Sequence, residues 1–559
     1  MVEPTVNPLK VQAQIDLRIT QLFETIRALR EERNTHSSAI QVPPEILTHI
    51  FLHVMHQIYE SHSYPCDQLS ISHVCRYWRT VAIHSQEYWQ FQPIGQTGLL
   101  WPPEMMERAG GRPLYIWATY GDEGVGWSPS AYPPLAQALN SARALSVKMS
   151  TQTTITNGNT FFGSFPVTSL PNLESLTLYT GDYAYPIVVS VKFLQNGAPN
   201  LKKLVMDNFK WKWNSISSLF ASSLTSLILR GHAQWDEDCV KALRRLTSLQ
   251  YLEITDTSEP RYHEDLGSEL PQRSPTIKMP HLRDLFLYGD PLYIVKLILE
   301  FDIPSSTSID ITARHASQEV SEDEDYPEFN LLFEWMRLHF NDLDAAGVPM
   351  TALKITKNRR DEKNVVGLCF FNSPNPFFDS PRSPKNAKPV LEISFTKYYA
   401  SLKKKQASRY FKDAFWRIMS CLPLRHIGYL YLYCLPLMEC PRIAFSGLHG
   451  VKTLRIYGRE ALPLLTALMP HSQPNRPEDS DDGDEIPLPA LKNLFLPSPF
   501  FSGRFTEISA FIVNRAKCQV PIQKLSLANR RCVPDDSLKD LYDRVPVVRF
   551  DTDKKKGAA

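Results

Sequence analysis

This 559-residue chain has little glycine, almost no net charge and no regular spacing of its cysteines. Each of these features argues against a class of protein. Glycine contributes 23 residues, about 4% against a usual ~7%, so glycine-rich phosphate-binding loops are not favoured. The formal charge is only +2 at pH 7, which argues against a strongly basic nucleic-acid platform and against an acidic solvating tail. Proline is abundant, at 43 residues, and the balance is more typical of a binding surface than of an enzyme.

The cysteines and the apolar runs predict a reduced, water-soluble protein. The nine cysteines are odd in number and include no Cys-x-x-Cys pair, so no disulfide framework is expected. The first twenty residues lack the basic and apolar segments of a secretory signal. The longest apolar stretch, 427–438, is broken by Pro436 and is too short to span a bilayer. We therefore expect a cytoplasmic or nuclear protein, or one in both compartments, with neither membrane nor nucleic acid as a partner.

The common catalytic and metal-binding motifs are missing as well. No nucleophile elbow, Walker loop or dinucleotide-binding glycine motif occurs. His49, His53 and His56 have helical spacing but lack the H-E-x-x-H arrangement. Cys434 and Cys440 have no matched second pair. The sequence therefore predicts no catalytic residue, no metal site and no cofactor.

An apolar heptad seam lies near the N-terminus, in a helix predicted within residues 10–40. Its members recur at steps of four, three, four and three residues: Ile15, Ile19, Leu22, Ile26 and Leu29. The seam lasts about two heptads, below the three or four that argue for a coiled coil. We favour an amphipathic helix that packs on the next domain, and dimerisation is the alternative.

Residues 41–92 contain two further amphipathic helices. The first begins at Pro43 and Pro44, where a missing amide hydrogen is tolerated, and Glu45 favours the positive end of the helix dipole. The second helix, from about Leu69, places Val74, Cys75 and Trp78 on one face. A unit of about fifty residues cannot bury such a wide apolar face alone. The pattern therefore indicates a binding partner.

The segments VPPEILTHIF (42–51) and SHVCRYWRTVA (72–82), followed by Trp89, resemble the F-box motif, especially its fungal variant. This resemblance implies binding to a Skp-type adaptor and, through it, to a cullin. It also implies eight residues that bind the adaptor or form the small core beneath the interface: Pro44, Ile46, Leu47, Ile50, Phe51, Val74, Cys75 and Trp78. The connection at 55–68 is longer than in many F-boxes.

A Leu-x-Leu phrase recurs through residues 145–551, after a segment at 93–144 that we interpret as a linker. Its second leucine lies at 176, 204, 227, 252 and 285. Most of the resulting steps, 28, 23, 25 and 33, fit the period of leucine-rich repeats. The phrases resemble such repeats but lack the usual Asn or Cys. The predicted fold class is α/β, with a small helical F-box followed by an irregular leucine-rich-repeat solenoid.

Three polar segments interrupt these repeats. Residues 319–328 and 478–485 each carry six acidic side chains, and residues 373–389 contain three Ser-Pro pairs. Such compositions are typical of solvated loops. We expect all three segments to be loops inserted between the repeats.

Strand alternation predicts which side chains the repeats expose. If the leucines face the core, their neighbours lie on the opposite face. These neighbours include many aromatic residues and arginines, which interface hot spots favour: Tyr179, Arg230, Tyr251, Phe286, Tyr288, Tyr429, Tyr431, Tyr433, Arg455, Tyr457 and Phe495. We take the tyrosines from 251 onward, with Phe286, as candidate substrate-binding residues. The alternatives are that the rings pack beneath insertions or turn inward through a shifted register.

The F-box resemblance and the repeats together predict a substrate-recognition subunit of an SCF-type cullin–RING ubiquitin ligase. In this interpretation the F-box binds the adaptor and the repeats bind a protein substrate, whose identity the sequence does not reveal. The alternative is an interaction scaffold that is not coupled to degradation.

Overall fold

The computed structural model describes the chain in segments. These are residues 8–38, 40–61, 67–94, 101–120, 138–149, 169–180, 187–189, 196–216, 219–233, 237–256, 277–315, 327–345, 347, 352–358, 365–371, 391–397, 424–433, 445, 447–457, 461–469, 486–496, 505–527, 533 and 535–550. The predicted loops at 373–389 and 478–485, most of the loop at 319–328, and both Cys434 and Cys440 lie outside the described residues.

Helices occur throughout the described segments. The α-helices are α1 (Pro8–Thr35), α2 (Pro44–Ser61), α3 (Asp67–Ser72), α4 (Arg76–His84), α5 (Trp101–Arg108), α6 (Trp213–Ile216), α7 (Glu237–Leu243), α8 (Pro291–Leu299), α9 (Pro327–Ala345), α10 (Ala461–Ala467), α11 (Phe505–Lys517) and α12 (Asp535–Arg544). Short 3-10 helices lie at Tyr88–Gln90 and Leu424–His426. Within the described ranges, no helix is long and apolar enough to cross a membrane.

The strands are β1 (Phe91–Ile94), β2 (Leu114–Tyr120), β3 (Ala142–Met149), β4 (Ser175–Thr180), β5 (Ile187–Val188), β6 (Lys203–Trp211), β7 (Ser226–Ala233), β8 (Tyr251–Asp256), β9 (Ile277–Lys278), β10 (Asp284–Gly289), β11 (Phe301–Asp302), β12 (Ser308–His315), β13 (Ala352–Asn358), β14 (Val365–Phe371), β15 (Leu391–Lys397), β16 (Tyr429–Tyr433), β17 (Thr453–Tyr457), β18 (Asn493–Leu496), β19 (Lys524–Leu527) and β20 (Val547–Phe550). Every predicted Leu-x-Leu phrase corresponds to one of these strands.

The chain divides into two compact units, Met1–Ser223 and Leu224–Ala559. In the first unit, β1, β2, β3, β4 and β6 pair side by side, all parallel, and β5 pairs with the end of β6. The segment predicted as a linker, 93–144, contributes α5 and β2 to this unit. Its strand β2 is well packed, since Ile116, Trp117 and Ala118 are buried.

In the second unit the sheet order is β7-β8-β10-β12-β15-β14-β13-β16-β17-β18-β19-β20. Neighbouring strands are parallel except around β14, which is antiparallel to both β13 and β15. The small strands β9 and β11 form a separate parallel pair.

The leucine-rich-repeat solenoid predicted from the sequence is not what these strands form. A solenoid needs one supersecondary unit repeated with the same hand and direction. Here β14 runs against its neighbours, and the helices between strands range from the 7 residues of α7 to the 19 of α9. The strands therefore form sheets that are parallel except at β14, because the Leu-x-Leu phrase determines a strand but not the segment that returns to the next one.

Strand alternation places the core as predicted. In β8 and β10 every second residue is buried, including Leu252, Ile254, Leu285 and Leu287. The residues between them are half-buried. Each strand therefore has a leucine-lined face toward the core and a second face of mixed polarity.

The N-terminal helix α1 differs from its prediction. It spans 28 residues and has no buried side chain. Contrary to the favoured interpretation, its apolar seam is therefore not packed on the described residues of the next domain. One ion pair connects α1 to α4, between Glu31 Oε1 and Arg76 Nη1 at 2.8 Å.

Candidate adaptor-binding site

The start of α2 is held by two hydrogen bonds. The Leu47 amide donates to the Pro43 carbonyl at 3.0 Å, which closes the first turn. The Tyr77 hydroxyl of α4 donates to the carbonyl of Val42 at 2.7 Å. The bond from Tyr77 therefore ties the chain just before α2 to α4.

The V-C-R-x-W-R segment builds the start of α4. Cys75 is the N-cap residue, and its Sγ accepts a hydrogen bond from the Trp78 amide at 3.4 Å. Arg79 Nε donates to the Ser72 carbonyl at 3.0 Å and thereby holds the end of α3. The spacing of the motif thus has a structural reason, because the cysteine caps the helix and the arginine ties the preceding turn to it.

Aromatic packing forms the core between α2 and α4. Leu47 and Phe51 are each only 1% exposed. The Phe51 ring lies 5.3 Å from the Trp78 ring and 6.0 Å from that of Tyr88. Burial raises the pKa of Tyr88 above its usual range. Leu47 and Phe51 therefore support the site from below.

Other predicted residues of this site remain exposed. Ile46 is 52% exposed, Ile50 44% and Val74 58%. Ile46 and Ile50 lie four residues apart, so they occupy one face of α2 on consecutive turns. Pro44 is also exposed, whereas Cys75 and Trp78 are half-buried. The eight predicted residues thus divide into an exposed aliphatic set and a buried or half-buried set beneath it.

Ile83, on α4, was not predicted and is 40% exposed. The sequence did indicate that the Ile83 side chain faces solvent. Trp78 and Ala82 define the inward face of α4, so the residue directly after Ala82 must turn away from that face at the helical angle of about 100° per residue.

The far end of α2 packs on the first unit's sheet. The Tyr59 ring lies 5.1 Å from Trp117 and 5.7 Å from Tyr115, both on β2. The His56 ring meets the edge of Phe91 at 5.0 Å. Burial, with a smaller contribution from Tyr115, raises the pKa of Tyr59. The two ends of α2 thus have different surroundings, since one carries the exposed isoleucines and the other is fixed to the sheet.

A second group of candidate residues lies on the mixed-polarity face of the second unit's sheet. We call Arg230, Tyr251, Glu253 and Phe286 the Tyr251 cluster. The Tyr251 hydroxyl donates to Glu253 Oε2 at 2.9 Å, and Arg230 Nε pairs with Glu253 Oε1 at 2.5 Å. The Tyr251 and Phe286 rings are 5.2 Å apart. Burial first, and then Glu253, raises the pKa of Tyr251.

Tyr431, Arg455 and Tyr457 form a comparable group, the Tyr431 cluster. The guanidinium of Arg455 lies 5.9 Å from the Tyr431 ring centroid and 5.1 Å from that of Tyr457. Arg455 Nη2 also donates to the Tyr457 hydroxyl at 2.5 Å, and the two tyrosine rings are 5.3 Å apart. This is a cation–π arrangement in which one guanidinium nitrogen of Arg455 also bonds a tyrosine hydroxyl, whereas its buried Nε has no hydrogen-bond partner among the described residues.

The remaining candidates on this face are less closely grouped. Tyr288 and Tyr429 are half-buried, and Tyr433 is in register with Tyr457. Phe495 lies 5.3 Å from Lys524 Nζ. Tyr179 belongs to the first unit, on β4, and is half-buried. The structure therefore brings the predicted face together chiefly as the Tyr251 and Tyr431 clusters.

No group of three or more His, Cys, Asp or Glu side chains that could hold a metal ion occurs among the described residues. The three histidines of α2 form no such group. His49, His53 and His56 are all exposed, and His56 faces Phe91 and Tyr115.

Comparison with known proteins bears on the helical region alone. Residues 40–91 match the family model described as F-box-like, which contains α2, α3, α4 and the 3-10 helix at Tyr88–Gln90. No curated protein matches the chain. The match identifies an F-box-like domain at the place where the sequence resembles the F-box motif, and it supports an F-box protein.

Proposed function

We propose that this chain is a substrate-recognition subunit of an SCF-type cullin–RING ubiquitin ligase. The F-box-like domain binds a Skp-type adaptor, and through that adaptor the chain joins a cullin. The second unit holds a protein substrate. The chemistry of ubiquitin transfer belongs to other subunits, and we assign no reaction to this chain.

One observation carries the adaptor-binding role. Within the span that matches the F-box-like model, Ile46, Ile50 and Val74 are 44% to 58% exposed. Water contact with aliphatic groups is unfavourable by about 25 cal/mol per Å². A partner that covers these side chains recovers that free energy, and the supporting core of Leu47 and Phe51 keeps α2 and α4 in place for it.

The substrate-binding role rests on the composition of the second unit's sheet face. Tyrosine, phenylalanine and arginine are the residues that interface hot spots favour, because they combine a large contact area with polar atoms. The Tyr251 cluster and the Tyr431 cluster both have this composition. They lie on strands β7, β8 and β10 and on strands β16 and β17 of one sheet.

Affinity capture of the full chain under proteasome inhibition tests both roles at once. We expect Ile46→Asp to lose the adaptor and the cullin but keep the substrate, because it places a charge in an apolar contact. Tyr431→Ser should lose the substrate and keep the adaptor. Tyr542→Ser is the control, since Tyr542 is 54% exposed and lies on α12, outside the sheet face.

The same experiment separates the ligase role from that of a scaffold. A ligase subunit captures adaptor, cullin and a partner whose abundance rises when the proteasome is inhibited. A partner with unchanged abundance and turnover would favour a scaffold that is not coupled to degradation. Retention of the adaptor by a folded Ile46→Asp variant would contradict the assigned interface.

A further inference from the structure

The helix α1 presents an apolar seam that is not buried against the described residues of its own chain. Its 28 residues include no buried side chain. The five seam residues and the neighbouring Phe23 are each between 44% and 64% exposed. Helices in proteins gain most of their stability by packing an apolar face. A seam this exposed therefore indicates an occupant outside the chain.

The heptad positions define which side of α1 is open. Ile19 and Ile26 occupy position a, whereas Ile15, Leu22 and Leu29 occupy position d. Glu31 then falls at position f, on the opposite side of the helix. Glu31 is the residue that pairs with Arg76 of α4 at 2.8 Å. The helix therefore contacts the F-box-like domain away from the seam, and the seam stays accessible.

The flanking charges distinguish between orientations of a second copy. In a parallel pair, position g of one helix faces the next position e of the other. This places Arg18 beside Phe23 and Thr25 beside Arg30, and it sets the two Arg33 side chains against each other at position a. A parallel pair thus gains no opposite-charge contact between these positions and contains one like-charge contact.

An antiparallel pair gains opposite-charge contacts at positions e and g. With the two-fold axis beside residue 24, position e meets e and position g meets g. Asp16 then faces Arg30 of the second copy, and Arg18 faces Glu32 of the second copy. Each contact occurs twice by symmetry. In the core, Ile19 meets Leu29 and Leu22 meets Ile26, and the two copies of Phe23 meet beside the axis.

We propose that α1 forms an antiparallel two-helix coiled coil with α1 of a second copy of this chain, in the register that sets residue 19 opposite residue 29. The interface is isologous, as expected for a symmetric dimer. In this register the two Thr35 residues lie 22 helical positions apart, about 33 Å at 1.5 Å per residue. The two F-box-like domains therefore follow from opposite ends of the coiled coil. This proposal is independent of adaptor binding.

Sedimentation equilibrium of the purified full chain at micromolar concentration tests the dimer. We expect twice the 63.9 kDa of one chain. The double variant Ile19→Asp, Ile26→Asp should be monomeric while its circular dichroism is unchanged, because both side chains are exposed within one chain. Leu17→Asp is the matched control. Leu17 is 60% exposed but lies at position f, so this variant should remain dimeric.

Charge reversal tests the orientation. Asp16→Arg and Arg30→Asp should each weaken the homodimer by about tenfold, because each creates two like-charge contacts. A mixture of the two variants should recover the wild-type affinity as a heterodimer, since every contact is then between opposite charges. A parallel pair gives no such recovery. A monomer at all concentrations, a dimer that survives Ile19→Asp with Ile26→Asp, or an absence of recovery in the mixture would overturn the proposal.

Discussion

The exposed face of α2 and the mixed-polarity face of the second unit's sheet present their side chains in different ways. On α2, Ile46 and Ile50 are aliphatic and project half-exposed into solvent. On the sheet, Tyr431 packs against Arg455 and Tyr457, and Arg455 donates a hydrogen bond to the Tyr457 hydroxyl. The first face gains free energy only when a partner covers it, whereas the second already satisfies part of its bonding capacity within the chain.

This difference shows which kind of surface identifies a partner-binding role more strongly. An exposed aliphatic pair has no polar function of its own, so its exposure calls for an explanation. An aromatic and arginine cluster stabilises the sheet as well as offering a binding surface. The family match at residues 40–91 contains α2 and does not extend to the second unit's sheet.

The largest expected effect comes from the core beneath the α2 face. Phe51→Ala should lower the free energy of unfolding of the F-box-like domain by about 3–5 kcal/mol, since it leaves a cavity between Trp78 and Tyr88. Ile50 directly precedes Phe51 but is exposed, so Ile50→Ala should change the free energy of unfolding by no more than about 0.5 kcal/mol. Calorimetric unfolding of the full chain measures both. Similar losses from the two variants would mean that Ile50 is a core residue.

A smaller effect, of about 1–3 kcal/mol, is expected from pH in the second unit. The His339 ring stacks on Trp335 at 5.0 Å. Burial lowers the pKa of His339 to about 4, and the smaller, opposite effect of Asp342 does not cancel this shift. In the unfolded chain this histidine has its ordinary pKa of about 6.5. Between these values the unfolded chain binds more protons, so stability falls as the pH falls from about 6.5 toward 4.

Urea unfolding at a series of pH values checks this effect. His339→Phe should reduce the pH dependence in that window, because a phenyl ring does not titrate. By contrast, the loss caused by Phe51→Ala should be the same across this range, since apolar packing does not titrate. An unchanged slope in the His339→Phe variant would mean that this ring does not remain neutral in the folded state.

The strands and α2 could be predicted because their determinants are local, whereas the helix predicted from about Leu69 is divided at Cys75 into α3 and α4. Leu252 and Ile254 alternate with half-buried residues, and this period of two is sufficient to predict β8. The V-C-R-x-W-R segment likewise contains its own helix cap at Cys75. The paths between strands could not be predicted in this way, since they depend on contacts far apart in the chain, such as the antiparallel pairing of β14 with β13 and β15.

The sequence also could not predict which residues of the candidate adaptor-binding site are buried and which are exposed. Ile46 and Leu47 both belong to one broad apolar stripe, yet Leu47 is buried and Ile46 is exposed. The packing of α2 against α4 decides which of them faces inward, and this packing involves residues distant in the sequence, such as Phe51 and Trp78. The same holds for α1, whose seam is plain in the sequence although nothing local determines whether its own chain covers it.

Calorimetric titration of the purified chain with a Skp-type adaptor tests the proposal that the exposed face of α2 binds this adaptor. Ile50→Asp should raise the dissociation constant by about 100-fold or more, because the charge would be buried without a partner. Leu338→Asp is the matched control, since Leu338 is also 44% exposed but lies on α9. We expect wild-type affinity for Leu338→Asp and a large loss for Ile50→Asp. An Ile50→Asp variant that retains its helical circular dichroism and still binds with the wild-type constant would contradict this proposal.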